Sequence, residues 1–331
     1  MQNRQPDIKT LTTALKSIFD YSGRALAEVE IVERKPNSYA ATFPTELITC
    51  RVNGGRELNI FCKYGGNHPR NLHDQEILLR QGGVPYEAQV YRHVLLPQKI
   101  SPITFYGAYN ENGSNTTWLF LENLEDSVHV SDSSSQVNAL SLAAQWIGDF
   151  HRICEEDAIS FSLPFLKVYD EGYYLKWPRR TALFSGELKH TYPWIGDVCQ
   201  RSEELVDLLL AARTATIIHG DYYTDNILFR AGKIYPIDWG WAAVAAGEND
   251  LAALTERWPA AIVEQCELEY QHARWPQGAP ANFLFTLNTA RLYLLLRWLG
   301  DRPECTLKKE NRWRFDHLHK LAAELGLVDQ V

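Results

Sequence analysis

The stretch 217–229, IIHGDYYTDNILF, sets a histidine, two aspartates and an asparagine between two apolar runs. Ile217-Ile218 leads in, His219-Gly220-Asp221 follows, and Asn226 opens the second run, Ile227-Leu228-Phe229. Arg230–Lys233 then contains a glycine turn, Ile234–Ile237 is apolar again, and Asp238 closes the segment. Apolar runs on either side of such a turn predict an antiparallel hairpin. A turn at Ala231–Lys233 pairs Phe229 with Tyr235 and Asn226 with Asp238. With a two-residue turn, Asn226 falls opposite Ile237, still next to Asp238. Directly opposed residues lie roughly 4.5–5.5 Å apart at Cα, so Asn226 and Asp238 can share one ion. An amide oxygen and a carboxylate are hard ligands, which suit Mg2+ and its phosphate partners better than zinc. Asp221 sits on the approach to that site, where a carboxylate can accept a proton from a hydroxyl. The plainer reading is a loop in which Asp221 caps a turn and Asp238 caps the following helix. The convergence of four polar groups on one hairpin argues against it.

The chain around this segment has 331 residues, 45% of them hydrophobic, which suits one large domain or two lobes. Its formal charge of -8 argues against a nucleic-acid partner and fits a cationic or neutral small-molecule substrate. The six cysteines are scattered without a C-x-x-C pair, so neither a zinc site nor a disulfide framework is expected. The N-terminus, MQNRQPDIKT, lacks the apolar core of a signal peptide. The most apolar stretch, Phe283–Gly300, is interrupted by Arg291 and Arg297. It reads as a buried helix with two polar exits, not as a membrane span. Together these features predict a cytoplasmic protein.

Residues 8–19 have helical apolar spacing, and 29–64 change to alternating, β-branched segments. Asn53-Gly54-Gly55 marks a hairpin between the last two of them. YEAQVYRHVLL (86–96) returns to helical spacing, and 103–123 hold two more strands around the polar turn 110–115. The serine-rich 125–137 reads as a linker, 139–153 and 201–213 as helices, and 160–195 as an irregular aromatic run. From 249 onward the pattern is mostly helical. The expected fold class is α+β: a β-rich N-terminal lobe over 1–121 and an α-rich C-terminal lobe over 122–331.

His219-Gly220-Asp221-x-x-x-x-Asn226, with Asp238 in Ile237-Asp238-Trp239, resembles the signature of the aminoglycoside phosphotransferase and choline kinase-like family. Gly247-Glu248-Asn249-Asp250-Leu251-Ala252 resembles that family's G-x-x-x-D-L-A segment. The resemblance implies a bilobal protein-kinase-like fold and a catalytic loop shared with the protein kinases. By implication Asp221 is the catalytic base or hydroxyl-orienting carboxylate, and Asn226 and Asp238 hold Mg2+. His219 and Asp250 brace the loop.

A kinase also needs a cation on the nucleotide phosphates and a carboxylate to hold that cation. Lys63 ends the strand ELNIFCKY, and the resemblance places its partner at Glu87 in YEAQVYRHVLL, with Glu76 the alternative. By itself Glu87 is an acid at a helix start, favourable there for the helix dipole. TTWLFLENLED resembles the family's hinge, where backbone groups of about Glu122–Leu124 meet the adenine of ATP. No G-x-G-x-x-G loop is present; backbone groups around Asn37–Tyr39, including Ser38, can line the phosphates instead. Asp225 is an extra carboxylate that either stabilises the loop or faces a cationic substrate.

The expected activity is therefore transfer of a phosphate from ATP, with Mg2+, to a hydroxyl of an amino alcohol, aminoglycoside, sugar or similar molecule. The acceptor would lie against the aromatic run 169–195 together with Trp241, Glu256 and Trp258. The alternatives are a catalytically silent nucleotide-binding relative and a metal hydrolase built on His219, Asp221 and Asp238. All four of Lys63, Asp221, Asn226 and Asp238 are present, which disfavours the first. The second leaves Lys63 and Glu87 without a role.

Overall fold

The computed structural model describes residues 6–20, 28–37, 43–66, 82–100, 102–111, 113–114, 116–156, 163–212 and 216–329. Ser38, and Glu76 as the rival of Glu87, lie outside the described residues. The chain divides into two compact units. One comprises Met1–Val128 with Leu228–Trp241, and the other His129–Ile227 with Ala242–Val331.

The first unit is built on an antiparallel sheet of β1 (Val29–Pro36), β2 (Thr45–Val52), β3 (Glu57–Gly65), β4 (Phe105–Asn110) and β5 (Thr117–Glu122), in the order β1-β2-β3-β5-β4. Asn53 and Gly54 turn β2 into β3 with φ of 53° and 66°. The Gly55 N–H donates to the Val52 carbonyl at 3.0 Å across them, and such a tight turn needs the left-handed backbone that Asn-Gly supplies at low cost. Helix α1 (Ile8–Asp20) presents Leu11, Ala14 and Leu15 to one sheet face, where they pack with Ile48, Cys50, Ile60, Cys62, Trp118 and Phe120. Burying a leucine side chain fully is worth about 1.5–3 kcal/mol, so this face anchors the strands. Helix α2 (Gly83–Val90) continues through a π turn at Tyr91–Leu95. Glu87 lies past the first turn of α2 and is buried, so it is not the exposed first-turn acid that its sequence position suggests.

The opening hairpin forms. Ile227–Arg230 and Lys233–Pro236 are neighbouring strands, joined by Ala231 and Gly232 with φ of 48° and 75°. The turn is therefore the two-residue one of the two considered.

The second unit is mostly helical. Its helices are α3 (Gln136–Glu156), α4 (Glu171–Phe184), α5 (Ile195–Arg201), α6 (Val206–Ala212), α7 (Glu248–Leu254), α8 (Ala260–Arg274), α9 (Phe283–Asp301), α10 (Pro303–Leu307) and α11 (Arg312–Glu324). Helices α3 and α8 approach closely at Gly148, where a Cβ would stand 2.8 Å from the Tyr270 carbonyl oxygen. Ile217-Ile218 pairs antiparallel with Ala243-Val244, so the chain entering and the chain leaving the hairpin region are tied together within this unit.

Two expectations are corrected. The aromatic run is not irregular throughout, because α4 occupies its middle. Pro178 inside it obscures the helix, yet Asp170 caps the start by accepting from the Tyr173 N–H at 2.7 Å, and Tyr173, Tyr174 and Trp177 are buried. The proline deprives only the Tyr174 carbonyl of its helical donor. The serine-rich 125–137 is likewise not all loop: it holds a 3-10 turn at Val130–Asp132 and the first residues of α3. No helix among the described residues is long and apolar enough to cross a membrane, and α9 is a buried helix. Cys50, Cys62, Cys154, Cys199 and Cys266 are buried thiols outside any disulfide.

Candidate active site

Strand alternation places Lys63. Ile60, Cys62 and Tyr64 point into the core against α1, so Lys63 and Gly65 point to the opposite face. Gly65 there meets Phe43 and Val84 so closely that a Cβ would collide with both. Lys63 is 7% exposed, and its ammonium lies 2.8 Å from Glu87 Oε2 and 2.8 Å from Asp238 Oδ1. Burial alone would lower its pKa, but the two carboxylates outweigh that and hold it above the usual lysine range. Glu87 is pushed up by its burial, against the pull of the Lys63 charge, and Asp238 pushes it further. The Trp239 N–H also reaches Glu87, and the Gly82 N–H donates to the Gly240 carbonyl at 2.9 Å. Start of α2 and turn 238–241 are thus fastened together within the first unit.

Asp238 carries its carboxylate on a left-handed backbone, φ 63°. Aspartate tolerates that region better than most residues, and such strain persists where the surroundings enforce it. Its side chain remains 40% exposed, unlike those of Lys63 and Glu87.

In the second unit the segment after Ile218 is held from below. The Asp250 carboxylate accepts the His219 N–H at 2.7 Å and the Gly220 N–H at 2.8 Å. His219 is buried, and its Nδ1 accepts the Asp221 N–H at 3.3 Å. Arg297 Nη1 donates to the Gly220 carbonyl at 3.3 Å, and the Tyr222 hydroxyl to the Ala143 carbonyl at 3.0 Å. Asn226 Nδ2 donates to both the backbone oxygen and Oδ2 of Asp221, each at 2.9 Å. The asparagine therefore turns its amide nitrogen to Asp221 and its amide oxygen away from it. Asp225 is exposed on the 3-10 turn Thr224–Asn226.

At the expected hinge, the Glu122 N–H donates to the Thr104 carbonyl and the Asn123 N–H to the Asn59 carbonyl, both at 2.9 Å. Glu122 Oε2 accepts from the Thr104 hydroxyl at 2.7 Å, and Leu124 is buried with its carbonyl on the Ser127 hydroxyl at 2.8 Å. Strand closure thus uses two of the segment's N–H groups.

The profile of the phosphotransferase enzyme family matches residues 86–283, more than half of the chain, and spans both Glu87 and the 219–238 segment. The chain belongs to this phosphotransferase family. No curated protein matches it in sequence. Among solved structures it is similar to a choline kinase from Cryptosporidium parvum Iowa II, at 14% identity over 97% of this chain and 98% of that one, with a TM-score of 0.60. It is also similar to the choline kinase LicA from Streptococcus pneumoniae, at 12% identity over 97% and 99%, TM-score 0.55. A spectinomycin phosphotransferase complexed with ADP and spectinomycin aligns at 12% identity over 98% and 100%, TM-score 0.55. At such identities the likeness is one of fold, and it is the kinase-like α+β fold expected above.

One further group of residues near the 219–221 loop is missed by sequence reading. His151 on α3 bonds Asp250 Oδ2 through Nε2 at 3.2 Å and the Tyr270 hydroxyl through Nδ1 at 2.9 Å. Burial lowers the His151 pKa despite the neighbouring Asp250, so the ring is a neutral bridge. Arg274 donates to the Tyr270 hydroxyl at 2.6 Å. The hint in sequence is a histidine at helical spacing from Ile147 and Cys154, on the apolar face of α3. Gly247 is needed beside this network, because a Cβ there would stand 2.6 Å from Arg274 Nη1, 2.6 Å from His151 Nδ1 and 2.7 Å from the Tyr270 hydroxyl. Gly247→Ala is expected to cost about 1–3 kcal/mol, the usual range for overpacking. Denaturant unfolding checks it, and an unchanged midpoint would show that the network yields freely.

Proposed function

We propose that the protein is an ATP- and Mg2+-dependent phosphotransferase that moves the γ-phosphate of ATP onto a hydroxyl of a small molecule. The observation that carries this reading is Lys63 clamped between Glu87 and Asp238 at 2.8 Å each. A buried ammonium paired with carboxylates adds little net stability, so its presence points to a role beyond holding the fold, and phosphate binding needs such a point charge.

The residues present fit Mg2+. Asp238 keeps an exposed carboxylate, and Asn226 directs an amide oxygen away from Asp221; both are hard oxygen donors. Asp238 and Asn226 would hold the ion, which would supply positive charge against the nucleotide phosphates. Lys63, held by Glu87, orients those phosphates. Asp221, its Oδ2 fixed by Asn226, aligns the acceptor hydroxyl and takes its proton. His219 and Asp250 keep the loop backbone in place. Glu122 to Leu124 and Ser38 are assigned to the nucleotide on the resemblance, and complexes such as that of the spectinomycin enzyme with ADP support a nucleotide in this fold. The acceptor is assigned to the small-molecule class on the family match. The protein is expected to work in the cytoplasm.

ATP consumption across a panel of amino alcohols, aminoglycosides, sugars and nucleosides, with and without Mg2+, tests this reading. Turnover with at least one acceptor, only when Mg2+ is present, is expected. Tight MgATP binding without turnover on any acceptor would overturn it in favour of a silent nucleotide-binding protein.

A further inference from the structure

Within the unit of 129–227 and 242–331, a cavity of about 390 Å³ opens among α3, α6, α7, α8 and α9. Glu155, Glu248, Arg274, Trp275 and Phe283 stand in its wall. Its size falls within the range of small-ligand sites, about 300–1,000 Å³.

The wall is not balanced in charge. Glu248 is 3% exposed; its Oε1 lies 3.3 Å from Arg274 Nη1, and its Oε2 is buried with no hydrogen-bond partner among the described residues. Glu155 Oε1 takes Arg274 Nε at 2.9 Å and Nη2 as well. Two carboxylates thus share one guanidinium, and one buried carboxylate oxygen lacks a donor. Leaving such a group unsatisfied is unfavourable. A ligand that brings a positive charge offsets the excess negative charge of the wall, and one with N–H donors satisfies Oε2 once the Glu248 side chain turns toward the cavity.

The same wall is connected to the loop that carries Asp221. Arg274 donates to the Tyr270 hydroxyl (2.6 Å), Tyr270 bonds His151 (2.9 Å), His151 bonds Asp250 (3.2 Å), and Asp250 accepts the His219 and Gly220 N–H groups at 2.7 and 2.8 Å. Every link is buried or part-buried, so solvent does not short-circuit the chain.

The geometry points to a second ligand site in this cavity, for a small organic amine held by Glu248 and Glu155, whose occupancy is transmitted through Arg274, Tyr270, His151 and Asp250 to the loop at 219–221. The assignment of that loop as catalytic rests on the proposed function; the site itself does not.

The test titrates putrescine and agmatine calorimetrically into the full-length chain without nucleotide, and follows amide hydrogen exchange at His219 and Gly220. Saturable binding is expected in the wild type and in Asp221→Asn. Binding should weaken about tenfold or more in Glu248→Gln, because a charged partner is lost. Ala211→Trp, at an exposed position of α6 that lines the cavity, should weaken it similarly and keeps the test valid if Glu248→Gln fails to fold. Bound amine should change exchange at His219 and Gly220. No binding in the wild type, or binding untouched by both cavity variants, would overturn the site. Loss of binding in Asp221→Asn alone would place the amine at the acceptor position and overturn it too. Unaltered exchange with the amine bound would overturn the transmission. Turnover without acceptors plays no part in these readouts, so failure of the phosphotransferase reading shows up separately.

Discussion

Asp221→Ala should abolish turnover while leaving MgATP binding nearly intact. A positioned proton acceptor contributes about 10²- to 10⁴-fold in rate, so kcat should fall by that order. The nucleotide affinity should hold because Lys63 and Glu87 belong to a different unit of the chain from Asp221. The substitution also removes the acceptor of the Asn226 amide, whose Nδ2 bonds Asp221 Oδ2 at 2.9 Å. Asn226 still keeps its 2.9 Å bond to the Asp221 backbone oxygen, so the loop retains one of the two ties. A variant with strong residual kcat would show that Asp221 neither aligns nor deprotonates the acceptor. Steady-state kinetics paired with nucleotide titration separates the two outcomes.

The second large effect is expected at Asp238. Asp238→Ala removes the exposed carboxylate assigned to Mg2+ and one of the two acceptors of Lys63. Mg2+-dependent tightening of ATP should disappear, and activity should fall by about 10²–10³ or more, the scale of losing one preorganised electrostatic contact. Stability should change little, because Lys63 and Glu87 remain as a balanced pair at 2.8 Å. Titrating ATP at several Mg2+ concentrations checks the assignment. ATP affinity that still depends on Mg2+ as in the wild type would remove Asp238 from the metal site.

Much of this was legible in the sequence, for local reasons. Asn53-Gly54 and Gly232 mark tight turns because few other residues accept left-handed backbone. The alternation of ELNIFCKY already separates Lys63 from its core-facing neighbours Cys62 and Tyr64. Helix α4 was hidden because Pro178 and a run of aromatics break the usual helical pattern. The contact of Lys63 with Asp238 spans 175 residues of chain, and His151 meets Tyr270 across 119. Periodicity reports neighbours three or four residues apart, so such contacts lie beyond it. The resemblance supplied roles for Asp221, Asn226 and Asp238, but it did not foresee that Lys63 would bridge directly to Asp238. Nor did it reveal that Asp250 continues through His151 and Tyr270 to Arg274.

Transfer of phosphate to a hydroxyl differs from binding or hydrolysis of the nucleotide in its products. Phosphorus NMR of the enzyme with ATP, Mg2+ and the acceptors that stimulate ATP consumption follows both products in one sample. ADP and a phosphomonoester of the acceptor should appear in equal amounts, and both should form about 10²- to 10⁴-fold more slowly in Asp221→Ala. Release of inorganic phosphate in place of the phosphomonoester would contradict it.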